Sequence, residues 1–208
     1  MSTASFPPPR RRGEPAWEVA MMFPDQGYWS EDDFLRLSDR NWLVEYTDGF
    51  VDVLPMPTLK HQLILSFLHR VFRDHVLAHR PGALVLLAPY LIQIRAGQYR
   101  EPDVIYLDPA RAAGAGQRFT EGADLVMEVV SESNRDHDLG TKRREYAAAG
   151  IPEYWMVDAD EGRITVLALE PGASVYEIHG VFGPGERATS RLLPGFEVDV
   201  AEALAGPP

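Results

Sequence analysis

The stretch DLVMEVVSESNRDHDLGTKRREY, residues 124 to 146, constrains the fold of this chain more than any other. It opens as an apolar run suited to a sheet interior, yet Glu128 stands in the middle of that run. A carboxylate in such a place is costly unless it is paired, protonated or bound to a metal. Side chains alternate between the two faces of a strand, so Val126, Glu128 and Val130 share one face, while Leu125, Met127 and Val129 share the other. Glu128 is therefore expected to project from an apolar face.

The same count on PDVIYL groups Asp103 with Ile105 and Leu107, which makes Asp103 a second carboxylate at the start of a buried strand. If the two strands are neighbours, the two acids converge. Adjacent carboxylates raise each other's pKa unless a cation lies between them, and a hard ion such as magnesium takes oxygen ligands in that arrangement. The helical pattern from Asp138 to Ala149 supplies a cation. Asp138, Lys142 and Tyr146 are spaced i, i+4, i+8 along one stripe, so Lys142 is expected to reach back towards Glu128, stabilising charge or positioning an attacking water. Glu45, just before the Asp48-Gly49 turn, is a candidate further ligand or organiser of the metal site. His61, at the start of a long helix, is a candidate for an outer-shell role.

Each of these residues also has a plainer reading. Asp103 follows a proline and suits a turn cap, Glu128 could pair with Arg143 or Arg100, and Asp138 with Lys142 could be an exposed helical pair. His61 could simply start a helix. Tyr146, Tyr154 and Trp155 read as core aromatics whose polar tips find partners. Arg111 and Arg118 flank an Ala/Gly loop and could touch phosphate or only solvent.

Along the chain, YWSEDDFLRLSD predicts a helix capped by Ser30, with Asp33 at the capping-box position. Trp42 to Leu54 predicts a hairpin through Thr47-Asp48-Gly49, and the apolar spacing from Thr58 to His79 predicts a long amphipathic helix ended by Pro81-Gly82. Leu84 to Ile94, Val104 to Leu107, Leu125 to Val130, Tyr154 to Val157, Ile164 to Leu169 and Val175 to His179 read as strands, and Asp108 to Gln117 as a mobile loop. Helices interspersed with hairpins predict a mixed sheet flanked by helices, in the α/β or α+β class.

The length of 208 residues suits one domain, which is expected to span 28–200 between a Pro/Arg-rich tail over 1–27 and a short tail over 201–208. Arg10 to Arg12 are expected to be a solvated part of the first tail or a DNA-contacting arm. The absence of cysteine removes disulfides and thiolate chemistry and suits the cytoplasm. No apolar run approaches the roughly 20 residues of a membrane span. A net charge of -11 argues against nucleic-acid binding driven by global charge, but leaves room for a local basic groove.

The run from PDVIYL through LVMEVVSESNRDHDLGTKRREYAAAGIPEYWMVD resembles the bacterial Uma-two family, described as endonucleases and itself similar to the PD-(D/E)XK nuclease superfamily. The likeness continues more weakly through VEYTDGFVDVLPMPTLKHQ and covers residues 28 to 200. It implies a restriction-endonuclease-like core and a magnesium or manganese site. Asp103 matches the first acid, Glu128 the second, and Lys142 the amine; Glu45 and His61 match positions usually filled by the same residue types. One departure matters: the (D/E)XK lysine would fall two residues after Glu128, where this chain has Val130. The amine must then come from Lys142.

Three functions remain open at this point. The first is a metal-dependent endonuclease with DNA as substrate. The second is a noncatalytic binding or assembly module that kept the fold, in which apolar residues near GIPEYWMVD are expected at the surface and could form a homodimer interface. The third is a metal-dependent hydrolase of another phosphate ester using the same residues.

Overall fold

The computed structural model describes residues 23–40, 42–131, 135 and 137–206, with the side chains of His137 and Asp138 left aside. Arg10 to Arg12 lie outside the described residues. The first helix, α1 (Glu31–Ser38), is capped by Ser30, whose hydroxyl accepts the Asp33 N–H at 3.1 Å and donates to Asp33 Oδ2 at 2.6 Å. Strands β1 (Val44–Thr47) and β2 (Phe50–Val53) form the expected hairpin. Its turn residues Asp48 (φ 46°) and Gly49 (φ 92°) are both left-handed, which matches the twist of the strands they join. A Cβ at Gly49 would meet the Gly27 carbonyl oxygen at 2.7 Å, so this turn also requires glycine for space.

The long helix α2 (Leu59–His79) starts at Thr58, whose side chain accepts the His61 N–H at 3.2 Å. It buries Ile64, Leu65, Phe67, Leu68, Phe72 and Val76. Six such side chains contribute on the order of 10 kcal/mol, which pins the helix and fixes where its first turn stands.

The remaining elements are β3 (Leu84–Leu87), β4 (Leu91–Arg95), β5 (Gln98–Arg100), β6 (Val104–Leu107), α3 (Pro109–Ala113), β7 (Phe119–Glu121) and β8 (Leu125–Val129). A π-helical segment, His137–Lys142, leads into α4 (Arg143–Ala148). There follow β9 (Glu153–Asp158), β10 (Arg163–Ala168), β11 (Glu177–Phe182), β12 (Arg187–Thr189), β13 (Glu197–Asp199) and α5 (Val200–Ala205).

The strands form a six-stranded sheet in the order β11-β10-β9-β8-β6-β3, a five-stranded sheet in the order β2-β1-β5-β4-β7, and the pair β12-β13. Both larger sheets are mixed, with parallel pairing of β8 to β9 and of β4 to β7. The alternation read from β8 holds. Leu125, Met127 and Val129 pack with α2 residues such as Leu68 and Phe72, whereas Val126 and Val130 pack with Tyr146 and Ala147 of α4. A third cluster joins α1 to the five-stranded sheet through Phe34, Val44, Tyr46 and Tyr99. The class is mixed α/β, with sheets flanked by helices. No helix of the described residues is long and apolar enough to cross a membrane.

Four expectations need correction. The run from Leu84 to Ile94 is two strands in two different sheets, because Pro89 has no N–H with which to continue a ladder. The expected loop after Asp108 holds the short helix α3, capped by Asp108 with Pro109 in its first turn. The expected C-terminal tail over 201–208 begins within helix α5 (Val200–Ala205), with Ala203 buried. The apolar residues of GIPEYWMVD are not at the surface: Ile151, Tyr154, Trp155, Met156 and Val157 are all buried. Both faces of β9 are covered, so its continuous apolar run serves two cores and offers no dimer interface there.

Candidate functional site

Strands β6 and β8 run antiparallel with Val104 opposite Met127 and Ile105 opposite Val126, so one step further sets Asp103 opposite Glu128. The two acids are thus brought to one end of neighbouring strands. Asp103 Oδ2 accepts the Val129 N–H at 2.7 Å and lies 3.2 Å from His61 Nε2. Asp103 does cap a backbone donor, as its plainer reading had it, but that donor is in the second acid's strand.

Lys142 points inward. It is 3% exposed, its Nζ donates to Glu128 Oε1 at 2.9 Å, and the same nitrogen lies 3.3 Å from Glu45 Oε1. The Tyr146 hydroxyl donates to Glu128 Oε1 at 2.6 Å. One helical turn therefore delivers both an ammonium and a phenol to a single carboxylate oxygen, as the i, i+4 spacing anticipated. Burial raises the Tyr146 hydroxyl well above the usual tyrosine pKa, and the nearby charges of Glu128 and Glu45 push the same way, so it donates as a neutral phenol. Among the described residues Glu128 is paired with Lys142 rather than with Arg143 or Arg100. The side chain of Asp138 lies outside the described residues.

Glu45 is brought to the same group but stands behind it. Its Oε1 also accepts the Glu101 N–H at 3.3 Å, and its Oε2 lies 3.6 Å from Arg100 Nε. Arg100 is itself buried and forks onto Glu145, with Nε to Oε2 and Nη2 to Oε1 both at 2.8 Å. Burial alone would lower the Arg100 pKa; the Glu145 hydrogen bonds and the Glu45 and Glu145 charges reverse this and leave it raised.

These groups lie at or beneath a cleft of about 650 Å³. Asp103, Glu128, Lys142 and His61 line it, together with Lys60, Gln62, Met56, Ala88 and Ser131. Glu45 is not part of the lining. Lys60 crosses the cleft edge, 3.7 Å from Asp160 Oδ1.

One further acid, Glu101, was not singled out in the sequence. It lines the cleft, is 4% exposed, and accepts the Val44 N–H on Oε2 at 3.2 Å, while its Oε1 is buried without a hydrogen-bond partner. Burial is the main reason its pKa is pushed up to about 7, helped by the charges of Glu45 and Asp103 and opposed by Lys142 and the Val44 bond. The available signal was EPD itself, since Glu101 and Asp103 are two apart and share a side of an extended segment.

A carboxyl whose folded pKa lies above its unfolded value binds extra protons in the folded state, so stability is lost as pH rises from about 4.5 to about 7. A shift of that size corresponds to about 3 kcal/mol. Glu101→Gln is accordingly expected to be more stable than the wild type at pH 8 by about 1–3 kcal/mol, with the gain gone near pH 4. Urea titrations at the two pH values check this, and an equal effect at both would remove the assigned burial penalty.

Among the described residues no three acids or imidazoles stand in an arrangement that holds a metal ion. The donor chemistry nevertheless suits a hard divalent cation. Asp103 and Glu128 present carboxylate oxygens to the cleft, and Glu101 Oε1 is an oxygen that lacks the partner a buried polar atom normally has.

With this geometry in view, known proteins can be compared. A family model described as "Uma2: Putative restriction endonuclease" matches residues 31–201. A crystal structure described as "a putative nuclease belonging to DUF820", from Anabaena variabilis, superposes with a TM-score of 0.68 at 19% identity, covering 83% of this chain and 96% of that one. That likeness is one of fold, and the fold is restriction-endonuclease-like. No curated protein matches the chain.

Proposed function

Because this chain belongs to the Uma2 family, we propose that it is a divalent-metal-dependent endonuclease that hydrolyses DNA phosphodiester bonds at the Asp103–Glu128–Lys142 cleft. The observation that carries this reading is Lys142, buried and bonded to Glu128 although the lysine two residues after that acid is absent. An amine brought from a separate helix to the acidic strand supplies the same chemistry from a different place in the chain.

A magnesium or manganese ion held by Asp103 and Glu128 would polarise a phosphoryl oxygen and ease deprotonation of water. The protein's own groups do the rest. Lys142 places a positive charge beside Glu128, where it orients the attacking water and offsets charge that develops on the phosphate. Tyr146 fixes the orientation of Glu128, and His61 does the same for Asp103. Of the two roles read for Glu45 in the sequence, further metal ligand or organiser of the site, the second is the better assignment, since Glu45 holds Lys142 and the Glu101 backbone and is not part of the cleft lining. The lack of cysteine favours a reducing cytoplasm as the place of action.

The deciding experiment incubates the purified chain with plasmid and single-stranded DNA in magnesium or manganese. Cleavage that stops on chelation is expected, and no cleavage with either ion at millimolar concentration would remove the nuclease assignment. The direct pairing of Lys142 with Glu128 and Glu45 favours one second reading, a binding module that kept the fold with its acids neutralised internally. Calorimetry separates the two: the nuclease takes up the ion, whereas the module does not.

A further inference from the structure

Most arginines among the described residues are matched to acids. Arg95 pairs with Asp48, Arg111 with Asp124, Arg118 with Asp39, and Arg187 with Glu197. Helix α2 gathers three of the exceptions. Arg70, Arg73 and Arg80 are exposed, and among the described residues none has a carboxylate within the 4.0 Å of an ion pair. Arg70 instead lies over the Phe67 ring of its own helix, at 5.3 Å.

Their placement is ordered. At about 100° per residue, Gln62, Ser66, His69, Arg73 and Arg80 fall on one line along the helix, with Arg70 beside it. Gln62 lines the cleft, so the line starts at the candidate active site and runs outwards for about 27 Å. The helix carries a single acid, Asp74, displaced from this line by about 120° and lying one turn from Arg70 on the side away from the line. A chain of net charge -11 repels polyanions in general, so a strip of arginines without ion-pair partners leading from the cleft is where such a ligand can approach.

We propose that this face of α2 is a track for the phosphate backbone of a nucleic-acid duplex whose scissile phosphate lies in the cleft. The inference rests on the nuclease reading and adds to it the surface that holds the substrate backbone. Its length is close to one duplex turn of about 34 Å. Guanidinium groups suit phosphate contacts that carry no base information. The line has no exposed Phe, Tyr or Trp, the stacking platforms on which single strands are usually held.

The test measures binding of a 24-base-pair duplex by fluorescence anisotropy in EDTA over a salt series. It compares the wild type with R70Q/R73Q/R80Q and with R36Q/R163Q/R187Q, a control of equal net charge whose arginines lie elsewhere. The track variant is expected to bind about tenfold or more weakly near 100 mM salt, and the slope of log affinity against log salt is expected to fall by about 2 to 3. R73Q alone should lower the slope by about 1, which keeps the test usable if the triple variant folds poorly. Equal behaviour of track and control variants overturns the proposal, as does a 24-nucleotide single strand that competes as well as the duplex. Binding in EDTA needs no catalysis, so a wild type that binds through the track yet never cleaves overturns the nuclease reading and leaves the track. Cleavage at limiting DNA that is unchanged in the track variant does the reverse.

Discussion

Lys142→Met is expected to lower metal-supported DNA cleavage by about 10³-fold or more and to destabilise the fold by about 3–5 kcal/mol. Both effects come from one nitrogen. Lys142 Nζ stands 2.9 Å from Glu128 and 3.3 Å from Glu45, and all three residues are buried. Removing the ammonium leaves two carboxylates facing each other in a poorly solvated place, where breaking a buried pair from one side costs several kcal/mol. Methionine fills similar space, so the loss reports charge more than a cavity. Glu128→Gln separates the two effects. It keeps the acceptor for Tyr146 and removes a charge that Lys142 would otherwise balance, so its stability should change less while cleavage falls as far. Gel assays of cleavage alongside urea denaturation give both quantities. A Lys142→Met protein that cleaves within tenfold of the wild type would remove the amine from the mechanism.

Glu153→Ala is expected to be the most destabilising substitution remote from the cleft, at about 4 kcal/mol or more. Glu153 is 1% exposed in β9 and accepts four hydrogen bonds. They come from Trp155 Nε1 at 2.6 Å and from Ser190 Oγ, the Arg191 N–H and the Leu192 N–H, each at 2.7 Å. Alanine leaves these donors without an acceptor and releases the 190–192 segment, which follows β12 and is held to β9 by these bonds. Glu153→Gln presents only one acceptor oxygen and should fall between the two. A chemical-denaturation midpoint for Glu153→Ala close to that of the wild type would show that the segment is held by its apolar contacts alone.

How much of this was legible depends on how local each cause is. Asp103 and Glu128 could be read because strand alternation is a two-residue rule, and Lys142 with Tyr146 because a helical turn is a four-residue rule. The side on which Glu101 lies could be read by the same rule, but its burial could not. Its burial depends on β1, whose Val44 N–H bonds to it from 57 positions away. The position of Glu45 behind the cleft, rather than in it, likewise follows from the pairing of β1 with β5 and from Arg100 at the end of β5. GIPEYWMVD misled because a strand covered on both faces and an exposed sticky patch are equally apolar in sequence, and only the neighbours tell them apart.

The cleft lining also has a practical consequence. Lys60 and Lys142 are the only two lysines among the 208 residues, and both line the same cleft. Reductive methylation with isotope-labelled formaldehyde would therefore mark the chain's α-amine and two amines at one place. An NMR spectrum of the labelled protein would hold so few signals that each could be followed during a titration with magnesium or DNA. The rarity of one residue type makes the cleft observable without any engineered probe.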